Sequence, residues 1–285
     1  MAEPQETEAA SAPRQGRNLS AALIVGIALI VVVVAGLVFW PPAVVILVAL
    51  LAALATTELN HALQRVGMHA SIVPVAVGVP VLILASYAAA LWPDTAWAAV
   101  RWAVVGVLVL VCLFWRMPQG AQGYSRDVAG SLFIVGYVGV LASFIGPFIA
   151  MDSGPWKVAT MFLCVVGSDT GGYFVGATLG KHPLAPKISP KKTWEGMVGS
   201  VILSGAVGIL MTVFVLKRPW WLGFALAILI VIFATLGDLV ESLIKRDVGI
   251  KDMSSVLPGH GGIMERLDSM LVGITVGWLV FLLPL

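Results

Sequence analysis

Four carboxylates near the C-terminal end form two pairs with the same spacing: Asp238 with Glu241, and Glu265 with Asp268. Residues three apart share a helical face, so each pair aims two oxygen donors in one direction. Ser242 and Lys245 follow on nearly the same stripe as the first pair. Asp238 and Glu241 end a long apolar run, where a carboxylate at membrane depth costs about 2.5–3.5 kcal/mol on insertion scales. Two such groups at one level require cationic compensation. One form is an internal salt bridge to Lys245 or Arg246; the other is ligation of a divalent metal.

Between the pairs lie Lys251-Asp252 and the turn Leu257-Pro258-Gly259-His260-Gly261-Gly262. Glycines permit a tight turn and close backbone approach. The N–H groups of such a turn, leading into a helix N-terminus, make an anion site. Arg266 adds a planar fork suited to phosphate, and His260 reads equally as a cap or as a ligand contact. A second charged stretch lies upstream: Ser168-Asp169-Thr170-Gly171-Gly172-Tyr173, then Gly180-Lys181, then Ser189-Pro190-Lys191-Lys192-Thr193-Trp194-Glu195-Gly196. Gly172, Gly176 and Gly180 recur every four residues, the spacing that lets helices pack closely in lipid. Gly176 to Lys181 is one residue short of a Walker A loop and is followed by His182, so that site is excluded. The run of hydroxyls and ammoniums at 189–193 suits anionic lipid or a phosphate cradle.

The elements that must position these residues are membrane helices. Of 285 residues, 59% are hydrophobic and only 11% charged, with a mean hydropathy of +0.99. A soluble domain carries about 25% charged residues, so lipid must be this chain's solvent. A net charge of +2 gives no reason to expect a nucleic-acid partner. Cys112 and Cys164 sit in apolar runs and suggest neither a disulfide framework nor a zinc site. The pattern predicts an all-α, polytopic transmembrane helix bundle of about nine spans, near 19–39, 42–58, 72–92, 98–115, 128–150, 156–179, 197–216, 220–244 and 268–284. Residues 1–18 read as a disordered cytoplasmic tail, 19–150 as N-terminal transmembrane helices and 151–285 as the C-terminal catalytic region. Pro41-Pro42 marks a tight hairpin. The glycines and Asp169 predict a broken or re-entrant sixth span. With the N-terminus in the cytoplasm, only Arg101, Lys157, Lys217 and Arg218 of the 17 basic residues fall outside, as the positive-inside rule requires. Both charged loops, 180–196 and 245–267, then face the cytoplasm. Eight of the 15 acidic residues lie within 165–270, so the chemistry is expected in the C-terminal half.

Ser242-Leu243-Ile244-Lys245-Arg246, Lys251-Asp252, Leu257 to Gly262 and Arg266-Leu267-Asp268 resemble the hallmark of the phosphatidate cytidylyltransferase (CDP-diacylglycerol synthase) family. The 189–196 stretch and Asp169-Thr170-Gly171-Gly172-Tyr173 are similar to the same family's second block. The resemblance covers roughly 165–275 at motif level. It departs at Glu265, where the family usually has Asp. It implies condensation of CTP with phosphatidic acid to CDP-diacylglycerol and pyrophosphate, in an integral plasma (inner) membrane protein with a cytoplasmic active site. Hard oxygen donors and phosphate substrates favour Mg²⁺, as one or two ions, with any monovalent cation undetermined. Asp238, Glu241, Glu265, Asp268 and Asp169 are then the candidate metal ligands, and Asp238, Asp268, Lys245 and Arg266 the candidate catalytic residues. Ser189, Lys191, Lys192, Thr193, Arg246, Lys251, His260, Gly261 and Gly262 are the candidate substrate contacts. Membrane lipids are the expected surroundings, and a homodimer through the small-residue helices is one arrangement open to such a chain. The competing readings are a secondary transporter or channel with intramembrane carboxylates, a CTP-dependent enzyme acting on another lipid, and an inactive membrane scaffold. No inverted repeat supports the first, and the paired acids leave the last unexplained.

Overall fold

The computed structural model describes residues 31–92, 97–254 and 261–283. Residues 31–39 are helical, and at the Pro41-Pro42 pair, where a tight hairpin is predicted, the next helix starts at Pro42 with Pro41 as its N-cap. Helix α1 spans Pro42–Gln64, α2 Ile72–Leu91 and α3 Trp97–Arg116. Helix α4 covers Tyr124–Ala150 and contains a wide π-helical turn at Val135–Val140. Helix α5 is Gly154–Leu179, α6 Trp194–Val215, α7 Trp220–Asp247 and α8 Met264–Leu282. A short antiparallel hairpin, β1 Pro183–Ala185 and β2 Ser189–Thr193, joins α5 to α6.

The fold is the expected all-α membrane bundle, with that hairpin as an addition to the sequence reading. Helices α1 to α7 are each long and apolar enough to cross a membrane. Helix α8 matches the predicted span at 268–284, but its first turn carries Glu265 and Arg266, with Asp268 just beyond. The predicted span at 19–39 falls largely outside the described residues, as does the predicted tail. Observed helices outrun the predicted spans at several ends, because backbone hydrogen bonding continues after the apolar run stops. Helix α1, for instance, reaches Gln64 instead of ending at residue 58.

Helix α5 corrects one expectation: it is a continuous α-helix of 26 residues, neither broken nor re-entrant. Its glycines are used for packing. A Cβ on Gly199 of α6 would stand 2.6 Å from Gly171 O, and one on Gly172 would stand 2.6 Å from Ser200 Oγ. The two backbones therefore touch, and Ser200 Oγ donates to Ser168 O at 2.6 Å across the contact. Close packing of small residues is a main source of helix association in lipid.

Helix α7 packs against α6 on one side and α8 on the other, and α8 also packs against α5, α4 and α1. Phe148, Met161, Leu226, Ile230, Met264 and Leu271 fill the centre of this C-terminal cluster. Aromatic side chains such as Trp102, Phe114, Phe174, Phe214 and Trp220 point outward, as expected where lipid replaces water.

Candidate functional site

The site is built at one end of α5, α6, α7 and α8. Strand β2 ends at Thr193, whose Oγ1 accepts from Gly196 N at 3.1 Å and caps α6. Glu195 in the first turn of α6 accepts from Lys181 N at 3.1 Å and His182 N at 3.2 Å, and its Oε1 meets His182 Nδ1 at 2.5 Å. Both residues thus fix the hairpin on the helix. The hairpin in turn holds Lys191 and Lys192 over a cavity of about 1090 Å³.

Asp238 and Glu241 enter the cavity from α7, and Asp268 enters from α8. Oxygens of these three residues lie within 4.8 Å of one another. The helices come this close because residue 237 is glycine: a Cβ there would stand 2.8 Å from Asp268 O. Asp268 Oδ1 accepts from Ser269 N at 2.5 Å, and Ser269 Oγ donates to Ala234 O at 3.4 Å.

Two ammoniums balance the acids. Lys192 Nζ lies 2.6 Å from Asp238 Oδ2, linking the hairpin to α7. Lys245 Nζ lies 2.5 Å from Glu241 Oε2 and 3.0 Å from Glu265 Oε1. Of the two ways of compensating the first acid pair, the salt bridge to Lys245 is present. Glu241 gives one oxygen to Lys245, while its Oε1 is buried without a hydrogen-bond partner. A buried carboxylate oxygen left unpaired is costly, and one beside two further carboxylates suits a hard divalent cation. On that ground Asp238, Glu241 and Asp268 fit a metal.

Glu265 stands apart from that group. Besides Lys245, it accepts from Gly262 N at 2.7 Å, reaching back over the first turn of α8. Gly261 has φ +79, and a Cβ there would collide with the same carboxylate. Asp169, Lys251, Asp252, Gly261 and Arg266 also line the cavity, with Lys191, Lys192 and Thr193. Ser189, Arg246 and Gly262 lie outside the lining, and Arg246 is exposed. His260 lies outside the described residues.

The Cytidylyltransferase family model matches residues 20–283. The chain belongs to that family. It is similar to the phosphatidate cytidylyltransferase of Mycobacterium bovis, 37% identical over 98% of this chain and 94% of the relative. The Mycobacterium leprae protein of that name is 38% identical over 95% of this chain and 90% of its own length. A Staphylococcus haemolyticus phosphatidate cytidylyltransferase is 44% identical over 51% of this chain and 55% of its own.

In this family member, sequence reasoning missed one residue that touches the site's framework. Glu58, in the C-terminal third of α1, is only 5% exposed. It accepts from Ile263 N, Met264 N and Ser254 Oγ. The signal was present: a single carboxylate in an apolar helix is a functional candidate by default. Ending the predicted span at residue 58 placed Glu58 at a helix end, where an acid attracts no notice.

Proposed function

We propose that this chain condenses CTP with phosphatidic acid, releasing CDP-diacylglycerol and pyrophosphate, in a plasma (inner) membrane with the cavity open to the cytoplasm. The observation that carries the reading is the grouping of Asp238, Glu241 and Asp268 beneath Lys191, Lys192, Lys251 and Arg266 in one cavity. Acids that can hold a cation and bases that can hold phosphates meet where two polyanions must react.

An oxygen of the phosphatidate phosphate attacks the α-phosphorus of CTP. The new P–O bond forms as the bond from the α-phosphorus to the α,β-bridging oxygen breaks. The electron pair and that oxygen leave with pyrophosphate. A phosphate monoester is largely ionised at neutral pH, since its second pKa is about 6, so the nucleophile needs no protein base. The protein's contribution is positioning and charge neutralisation. Asp238, Glu241 and Asp268 would hold Mg²⁺, which when bound supplies neutralising charge to phosphoryl oxygens. Lys191 and Lys192 approach from the hairpin and bind phosphates of the nucleotide. Lys192 is placed to exchange Asp238 for a phosphate oxygen, and Arg266 to bind a phosphate at the start of α8. Lys245 keeps Glu241 and Glu265 in place. The exposed apolar flanks of α5 and α6, including Tyr173, Phe174 and Val198, would let acyl chains remain in lipid while the headgroup reaches the cavity.

The test is acceptor selectivity. Purified protein in detergent, given labelled CTP and Mg²⁺, is expected to form a labelled lipid with phosphatidic acid and none with diacylglycerol or a polyprenol. Label transfer to a different acceptor would reassign the substrate, and no transfer to any lipid would defeat the reading.

A further inference from the structure

The N-terminus of α8 carries Glu265, Arg266 and Asp268, yet no side chain of its own segment caps it: the N-cap residue is Ile263. A helix start leaves its first N–H groups without intrahelical partners. Here two N–H groups, those of Ile263 and Met264, are satisfied from far along the chain. Glu58 Oε1 accepts from Ile263 N at 3.0 Å and from Ser254 Oγ at 2.6 Å, and Oε2 accepts from Met264 N at 2.8 Å. Gly262 N is taken by Glu265. The N–H groups of Gly262, Ile263 and Met264 are thus taken by the protein's own carboxylates. The second glycine follows from the same contact, since a Cβ on Gly262 would stand 2.7 Å from Glu58 Oε2.

We propose that Glu58 is a positioning residue for the cation-binding group: by capping α8 from α1, it fixes where Asp268 stands relative to Asp238 and Glu241. Among the described residues Glu58 makes no ion pair, so its charge is held by backbone N–H groups and Ser254. A carboxylate at a helix N-terminus is favoured by the helix dipole as well as by these bonds. The arrangement ties the helix carrying Asp268 to the N-terminal half of the bundle. Without it, the first turn of α8 is left with unpaired donors in a buried place and shifts to find others. Asp268 sits one turn further on and moves with them. This inference deepens the proposed function and rests on it for substrate turnover, but not for cation binding.

Two readouts separate the possibilities. Mn²⁺ titration of the purified protein, followed by electron paramagnetic resonance, reports the cation group without substrate. Glu58→Gln keeps the shape of the side chain but turns an N–H donor toward Met264 N. It is expected to weaken Mn²⁺ binding about tenfold, the usual scale for residues that orient metal ligands. Turnover should fall by a similar factor, with KM for CTP little changed and the Mg²⁺ concentration for half-maximal rate raised. The second readout is a double-mutant cycle with Glu58→Ala and Gly262→Ala. The shorter residue 58 makes room for the new Cβ, so the double variant should bind Mn²⁺ more tightly than the two single losses together would give. Wild-type Mn²⁺ affinity in correctly folded Glu58→Gln overturns the proposal, and so does strict additivity in the cycle. A wild-type protein that binds Mn²⁺ but forms no CDP-lipid would instead defeat the functional reading and leave the role of Glu58 standing.

Discussion

At the residue scale, the two acid pairs look equivalent in sequence and are not equivalent in space. Asp238 and Glu241 share a cluster with Asp268, whereas Glu265 turns back to Gly262 N and Lys245. The i, i+3 spacing correctly brought each pair to one helical face. It could not show that one member of the second pair would be drawn back to Gly262 N, ahead of its own helix. The acids are therefore unequal in role. Asp268→Asn should lower turnover at least about 100-fold, beyond the usual cost of losing an orienting residue, with helix content by circular dichroism unchanged. Glu265→Gln keeps an acceptor for Gly262 N and loses only the charge facing Lys245. Its turnover should fall about tenfold, clearly less than that of Asp268→Asn. Equal losses in the two variants would place Glu265 among the cation ligands.

At the element scale, most helices were legible because apolar runs of spanning length leave little choice in lipid. Helix α5 was misread for a physical reason. Glycines and an aspartate inside a span suit a broken helix, and they equally suit a helix that lies against another backbone. Only the partner decides, and the partner is α6, whose Gly199 and Ser200 meet Gly171 and Gly172. The same contact uses the small-residue stripe within one chain. Gly171→Ala should lower the thermal midpoint of the detergent-solubilised protein by several degrees, since overpacking costs about 1–3 kcal/mol. Gly106→Ala in α3 is the control. Nothing lies within 4 Å of a Cβ placed there, and helix propensity favours Ala by about 1 kcal/mol. Its midpoint should hold or rise; equal losses for both variants would contradict the packing account.

At the scale of the whole molecule, the hairpin and the start of α8 line one cavity, while Asp152, Lys157 and Arg218 surround a smaller cavity lined also by Leu283 at the far end of α8. This division matches the loops that the positive-inside pattern assigned to opposite sides. The pattern is readable in sequence because it needs only loop charge. The link from α1 to α8 was not, since nothing local connects Glu58 to residues some 200 positions later. Sidedness has a direct check, because Cys112 and Cys164 are both buried and give little background. In inside-out vesicles, Lys187→Cys should react with an impermeant thiol reagent and Lys217→Cys should not; equal labelling would reverse or remove the assigned orientation. The central claim is that the Asp238, Glu241 and Asp268 group transfers a cytidylyl unit to phosphatidate. Its most direct measurement is product stoichiometry with CTP, phosphatidic acid and Mg²⁺, by mass spectrometry of lipid and ³¹P resonance of pyrophosphate. The account predicts CDP-diacylglycerol and pyrophosphate in equal amounts from the wild-type protein and neither from Asp268→Asn. Pyrophosphate without CDP-lipid, or undiminished product from the variant, would contradict it.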